Sequence, residues 1–207
     1  GKNAQSRVLM FTSFNPAAGK TFSIMNLAAS MALKKSKVII VDLDLRKATL
    51  TKTFGKQHSG VAAYLNGKMD DYHSCIDELS SDLFLLPIGT LPPNPTELLL
   101  TERFGKMIDE LRKEYDYVFL DCPPIDIVAD ASIITEKVDM TVFVLRAGRI
   151  DKSSLPYVEE LYRNGKYKHM AMVINSVELL AKKYGYGRRG YGYGYGYGYG
   201  YGYGNQD

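Results

Sequence analysis

Ser13-Phe14-Asn15-Pro16-Ala17-Ala18-Gly19-Lys20-Thr21 stands between an apolar run, Val8-Leu9-Met10-Phe11, and a stretch of helical periodicity. In that stretch Ile24, Leu27, Ala28, Met31 and Ala32 recur at the i, i+3, i+4, i+7 spacing of one helix face. The run reads as a short buried strand, so Gly19-Lys20-Thr21 lies where a strand hands over to a helix N-terminus. Unpaired backbone N–H groups and the positive end of the helix dipole make that place an anion site. Lys20 adds a point charge for β- and γ-phosphates, and Thr21 a hard hydroxyl oxygen for Mg²⁺. The pattern is that of a phosphate-binding P-loop, with Asn15, Pro16, Ala17, Ala18, Gly19, Lys20, Thr21 and Phe22 as nucleotide-contacting candidates. One position departs from G-x-x-x-x-G-K-[ST]: Phe14 stands where the first glycine would fall. A bare Gly-Lys-Thr is a weak signal; the flanking strand and helix, with Pro16 bending the loop, strengthen it.

Further strands are expected at Val38–Val41, Leu83–Pro87, Tyr117–Asp121, Met140–Leu145 and Met170–Ile174. Between them lie helical patterns, among them Gly60–Leu65, a helix capped at Asn94 and running towards Tyr115, and Ser153–Arg163. Strands that are continuously apolar rather than alternating, separated by helices, imply an α/β fold. The expected architecture is a P-loop NTPase fold, a mostly parallel sheet with helices on both faces. Such sheets bind ligands beyond the carboxyl ends of their strands.

Three acids occupy that rim. Asp42 and Asp44 end the second strand two residues apart and so point to one side of an extended chain. Asp121 ends the Tyr117 strand, and Cys122-Pro123-Pro124 prevents its continuation. A carboxylate after a buried run is the Walker B position, which holds Mg²⁺ directly or through its waters. One such acid alone is commonly a helix cap; three beside a P-loop lysine make a Mg–nucleotide site. If the acceptor is a phenol, with an ordinary pKa of about 10, an acid near the γ-phosphate has to take its proton. Lys20 and Asp42 are the catalytic candidates, Asp42 as that base. Thr21, Asp44 and Asp121 are the metal candidates, and the parts of Asp42 and Asp44 are interchangeable on sequence grounds. Asn175, after the last strand, is a candidate adenine contact or an ordinary cap.

The chain of 207 residues, 45% hydrophobic and 24% charged, has the makings of one soluble domain with an appendage. A net charge of +3, dispersed along the chain, argues against nucleic acid as a partner. Cys75 and Cys122 are too few and too far apart for a disulfide framework, which suits a reducing compartment. No apolar run approaches the ~20 residues of a membrane span. A start at Gly1 rather than Met leads to the expectation of a piece from a longer polypeptide.

From Tyr184 the composition changes abruptly to Tyr-Gly repeats, which sets the expected boundary: a P-loop domain over 1–183 and a flexible tail over 184–207. Glycine at every second position carries a high ordering entropy, and nothing aliphatic offers a core contact. The tail holds Tyr184, Tyr186, Tyr191, Tyr193, Tyr195, Tyr197, Tyr199, Tyr201 and Tyr203. On composition alone it reads as a stacking-prone low-complexity segment. Beside a phenol-phosphorylating site those tyrosines become candidate phosphoacceptors, each gaining about −1.5 to −2 charges when modified. Such a segment spans about 25 Å root-mean-square, which reaches its own cleft or a neighbour's.

Taken together, Thr12-Ser13-x-x-Pro16-x-x-Gly19-Lys20-Thr21, the Asp-x-Asp-x-Arg of Asp42 to Arg46, the Asp-x-Pro-Pro of Asp121 to Pro124 and the tyrosine cluster resemble the bacterial tyrosine kinases (BY-kinases) of capsule and exopolysaccharide export. The resemblance covers nearly the whole chain. It implies autophosphorylation of the tail tyrosines with ATP and Mg²⁺, usually between subunits of a homo-oligomer. It implies activation by a transmembrane region of the parent polypeptide, reversal by a tyrosine phosphatase, and a cytoplasmic domain of an inner-membrane protein. Gram-negative members join kinase and membrane region in one polypeptide, in keeping with a start at Gly1. Arg46 carries over as a structural or inter-subunit residue.

Two other readings share these residues. Partitioning and division-site ATPases have the same expected fold but carry a lysine where Phe14 stands, and they lack the tail. A non-catalytic, nucleotide-gated assembly module would use the Tyr-Gly tail for adhesion alone. The intact set of Lys20, Thr21, Asp42, Asp44 and Asp121 weighs against it.

Overall fold

The computed structural model describes residues 6–44, 47–55, 59–91, 95–125, 131–149, 153, 155–167 and 169–177. Arg46, Asn94 and every tail tyrosine lie outside the described residues. Among the described residues seven strands, β1 (Arg7–Ser13), β2 (Val38–Asp42), β3 (Asp77–Ser80), β4 (Leu83–Leu86), β5 (Tyr117–Asp121), β6 (Met140–Arg146) and β7 (Met170–Asn175), form one sheet. Their order is β3-β4-β2-β5-β1-β6-β7, with every pairing parallel except β3 against β4. The expected mostly parallel α/β architecture is therefore present, with one strand more than the apolar runs suggest. That extra strand, Asp77-Glu78-Leu79-Ser80, is a polar antiparallel edge and carries no buried run by which to detect it.

The helices are α1 (Lys20–Leu33), α2 (Thr49–Phe54), α3 (Val61–Leu65), α4 (Pro95–Leu99), α5 (Glu102–Glu114), α6 (Ala131–Lys137) and α7 (Leu155–Arg163). Ile24, Ala28 and Ala32 of α1, with Leu50 of α2, pack on one sheet face against Phe11, Ile40, Phe119 and Val144. On the other face Phe104, Met107, Ile108 and Leu111 of α5, with residues of α3, α6 and α7, cover Val8, Met10, Val41, Val118, Leu120 and Phe143. Both faces being covered explains why β2 is buried at all five positions.

The single helix expected from Asn94 towards Tyr115 is two. Thr101 adopts an extended backbone as the N-cap of α5, and its hydroxyl donates to the Leu98 carbonyl at 2.8 Å. The end of α4 and the start of α5 are thus tied together by one threonine, and the chain turns between them. At the far end of the sheet, Arg112 of α5 donates through Nη1 and Nη2 to the Asp139 carboxylate at 2.8 and 3.0 Å, and also to the Lys137 and Ser6 carbonyls. Asp139 accepts from the Val8 amide at 2.7 Å as well, so one ionic cluster joins α5, α6 and β1.

Candidate active site

The carboxyl ends of β1, β2 and β5 open on a cavity of about 370 Å³ lined by Pro16 to Thr21 after β1, by Asp44, Lys47 and Thr49 after β2 and by Pro124 after β5. Gly19 precedes α1 with φ +86°, a left-handed conformation natural to glycine, and no side chain caps the helix. The first-turn N–H groups of α1 are therefore left for an anion.

The loop around them is tethered from outside. Asn175 Nδ2 donates to the Ala18 carbonyl at 3.0 Å, and Arg146 Nη1 to the Ala17 carbonyl at 3.2 Å. Ser13 Oγ donates to the Asn15 carbonyl at 3.0 Å, and Thr12 Oγ1 ties the end of β1 to the Pro123 carbonyl at 2.8 Å. Carbonyls held outward by β6 and β7 are what a loop needs if its amides are to face a phosphate. Phe14 also finds its reason here. Its ring is buried, stacked on Phe143 at 5.3 Å and edge-on to Tyr157 at 6.2 Å, so the side chain that replaces the first glycine is a core residue under the loop.

Lys20 is buried, and its Nζ forms an ion pair with Asp121 Oδ1 across from β5. Burial pushes the Asp121 carboxyl up to about 6, although Lys20 beside it pulls the other way; Asp42 and Asp44 raise it further. The three acids are close enough to sense one another, but they face different partners. Asp42, in register with Asp121, is fully buried. Its Oδ2 accepts from Thr51 N at 2.9 Å and Thr51 Oγ1 at 2.7 Å, and its Oδ1 accepts from Asp44 N at 3.1 Å. Burial raises the Asp42 carboxyl, and the Thr51 and Asp44 donors partly counter that. Asp44 instead lines the cavity with Lys20 and Thr21.

Of the sequence candidates, Pro16, Ala17, Ala18, Gly19, Lys20, Thr21 and Asp44 meet in this one cavity, and Asp121 joins them through Lys20. Asn15 belongs to the adjoining face of the loop beside Arg146, Phe22 projects outward from the first turn of α1, and Asn175 acts on the loop backbone. Thr51, Lys47 and Arg146 were not foreseen. Lys47 directly follows the Asp-x-Asp-x-Arg run, the one signal that could have drawn attention to it. Hard oxygen donors, a hydroxyl and carboxylates, suit a hard cation that keeps phosphate and water ligands.

The AAA domain family model matches residues 6–142. The chain is 35% identical over 181 residues to the tyrosine-protein kinase CpsD of Streptococcus pneumoniae serotype 4, covering 86% of this chain and 80% of that protein. The chain belongs to the bacterial tyrosine kinases. A second relative in this kinase family, the tyrosine-protein kinase wzc of Salmonella typhimurium, is 39% identical over 145 residues, which cover 69% of this chain and 20% of that protein. Among solved structures, the kinase domain of the Escherichia coli tyrosine kinase ETK superposes with a TM-score of 0.78 at 27% identity, covering 90% of this chain and 74% of that one. As a member of the tyrosine kinase family the chain is a protein-tyrosine kinase, and the partitioning-ATPase alternative is not favoured. Among the described residues, no helix is long and apolar enough to cross a membrane.

Proposed function

We propose that this kinase domain transfers the γ-phosphoryl group of MgATP to its own tail tyrosines, Tyr184, Tyr186, Tyr191, Tyr193, Tyr195, Tyr197, Tyr199, Tyr201 and Tyr203. Transfer runs between subunits of a homo-oligomer, and its biological setting is capsule or exopolysaccharide export. A transmembrane region of the parent polypeptide supplies activation and a tyrosine phosphatase the reset. The observation that carries the reading is the Lys20–Asp121 ion pair on the same cavity as Thr21 and Asp44.

The loop amides and Lys20 hold the β- and γ-phosphates, and Asn175 keeps the loop in shape from behind. Mg²⁺, held by Thr21 and Asp121, would neutralise charge on the phosphate oxygens. As the phenol oxygen bonds to phosphorus and the bridging oxygen leaves with ADP, the phenol proton passes to a carboxylate. The geometry favours Asp44 over Asp42 for that task, because three donors already occupy Asp42 while Asp44 lines the cavity. Asp42 then serves as the buried anchor that orients Asp44. Most of the rate comes from positioning and charge, since the chemistry asks little covalent help of the protein.

Incubation with Mg²⁺ and γ-labelled ATP tests the reading. Label is expected on the tail, and Lys20→Met should abolish it while leaving the circular dichroism spectrum unchanged. Label found only in released phosphate would point to a regulatory ATPase, and no turnover at all to an assembly module.

A further inference from the structure

Lys47 lines the cavity with Asp44 and Thr49 on the segment that follows β2, which β5 separates from the P-loop strand β1. Its backbone is fixed: Lys47 N donates to Asp44 Oδ1 at 3.2 Å, and Ala48 N to the Asp44 carbonyl at 2.9 Å. Ala48 then caps α2 with φ +48°, a left-handed value that a non-glycine residue adopts only when its surroundings demand it. The turn therefore sets Lys47 among the residues that line the cavity, where it is solvent-exposed and, among the described residues, in no ion pair.

The charges around the cavity make this position consequential. Lys20, the other lysine on the lining, already shares its charge with Asp121. Asp44 adds a second carboxylate on the wall and Asp42 a third just behind it. Among the described residues at the site, the carboxylates of Asp42, Asp44 and Asp121 outnumber the lysines. In the transition state of phosphoryl transfer charge spreads over the three equatorial oxygens, and a cation that faces them, such as an arginine finger, stabilises it.

We propose that Lys47 is a catalytic residue, the cation that stabilises the transferring phosphoryl group from the segment that follows β2. The inference rests on the kinase reading of the cavity. In the reaction the bond from phosphorus to the β,γ-bridging oxygen breaks, the bond to the tyrosine oxygen forms, and the phenol proton goes to Asp44. Lys47 keeps its own proton throughout and contributes only charge. It acts on the transition state and not on nucleotide retention, which the P-loop provides.

The full chain, with Lys47→Ala and Lys47→Arg, separates these roles by binding of MgADP alone and of MgADP with aluminium fluoride, a mimic of the transferring group. Lys47→Ala should bind MgADP within about twofold of wild type but bind the fluoride complex on the order of 100-fold more weakly. Phosphoryl transfer should fall in parallel, and Lys47→Arg should restore much of both. Undiminished affinity of Lys47→Ala for the fluoride complex overturns the proposal. So does an equal loss of affinity for MgADP, which would mark a ground-state or structural role, and so does a wild type that forms no fluoride complex. A wild type that releases phosphate without labelling tyrosine refutes the kinase reading instead, while the fluoride comparison still decides the part played by Lys47.

Discussion

Asp42 and Asp121 are register partners on adjacent strands, yet one carboxylate is committed to Thr51 and the other to Lys20. The pair divides the floor of the site into an anchoring half and a reacting half. Asp42 joins β2 to α2, and through its bond from the Asp44 amide it sets the turn that carries Asp44. Asp121 holds the P-loop lysine. Two acids equivalent in strand position thus take different work from the groups that happen to face them.

The first consequence is a pH dependence of stability. Asp121 is raised to about 6 by burial, against an unfolded value of about 3.9. A raised folded value means that its contribution to stability is complete below about pH 4, declines between about pH 4 and pH 6, and is lost above that. A gap of about two units corresponds to about 3 kcal/mol. Urea unfolding of wild type and Asp121→Asn from pH 4 to pH 8 measures it. The wild-type advantage should shrink across pH 4 to 6 and stay level above pH 7; an advantage that grows with pH would show that burial does not dominate.

Thr51 carries the anchoring half. Its hydroxyl donates to Asp42 and accepts from the Ile88 amide at 2.8 Å, so it links α2, β2 and the segment after β4. Thr51→Val keeps the shape but leaves one buried amide without its acceptor and Asp42 short of a donor. A loss of about 2–3 kcal/mol is expected by chemical denaturation, with Thr51→Ser close to wild type. Equal stability of the valine and serine variants would mean that the hydroxyl does nothing there.

At the opposite end of the sheet, burial alone would raise Asp139, but the Arg112 hydrogen bonds and the Val8 amide outweigh it and hold the carboxyl below its ordinary value. Arg112→Ala is expected to cost about 2 kcal/mol or more, and Arg112→Lys should recover little, since a single ammonium cannot reproduce the planar fork. Because the folded value is depressed, the Asp139 contribution is present above its unfolded pKa and fades as pH falls through the folded one. Thermal melts from pH 3 to pH 7 should therefore show the gap between wild type and Arg112→Ala narrowing on the acid side.

Gly19 meets two constraints at once. A Cβ there would lie 1.9 Å from Asn175 Nδ2, and the φ of +86° disfavours any L side chain. Gly19→Ala should weaken nucleotide affinity by more than about tenfold, the equivalent of about 1.4 kcal/mol. Adding Asn175→Ala removes the clash but neither the backbone strain nor the lost support of Ala18. Fluorescent-nucleotide titration of the double variant should show at most partial recovery, and full recovery would reduce the constraint to simple crowding.

Much of this arrangement is legible in the chain. A buried strand announces itself by an unbroken apolar run, and an acid that ends the run must lie at the carboxyl rim, so Asp42, Asp44 and Asp121 could be brought to Lys20 before any coordinates. The direction in which each acid points could not. Thr51 reaches Asp42 only because α2 begins after a turn whose left-handed Ala48 has no sequence signature. Lys47 escaped notice because a lysine near a loop is ordinarily a solvated charge. The edge strand β3 offered no periodicity, and the break at Thr101 depends on one side-chain hydrogen bond. Phe14 looked like a defect in a phosphate loop until Phe143 and Tyr157 were found against it.

The most direct measurement is phosphate mapping by mass spectrometry on the purified chain after incubation with Mg²⁺ and ATP, before and after phosphatase treatment. Mass increments should be confined to peptides from Tyr184 to Tyr203, vanish on phosphatase treatment and be absent from Lys20→Met. ATP consumed with no increment on any tyrosine, or increments that persist in Lys20→Met, would contradict the assignment of this cavity as a tyrosine-phosphorylating site.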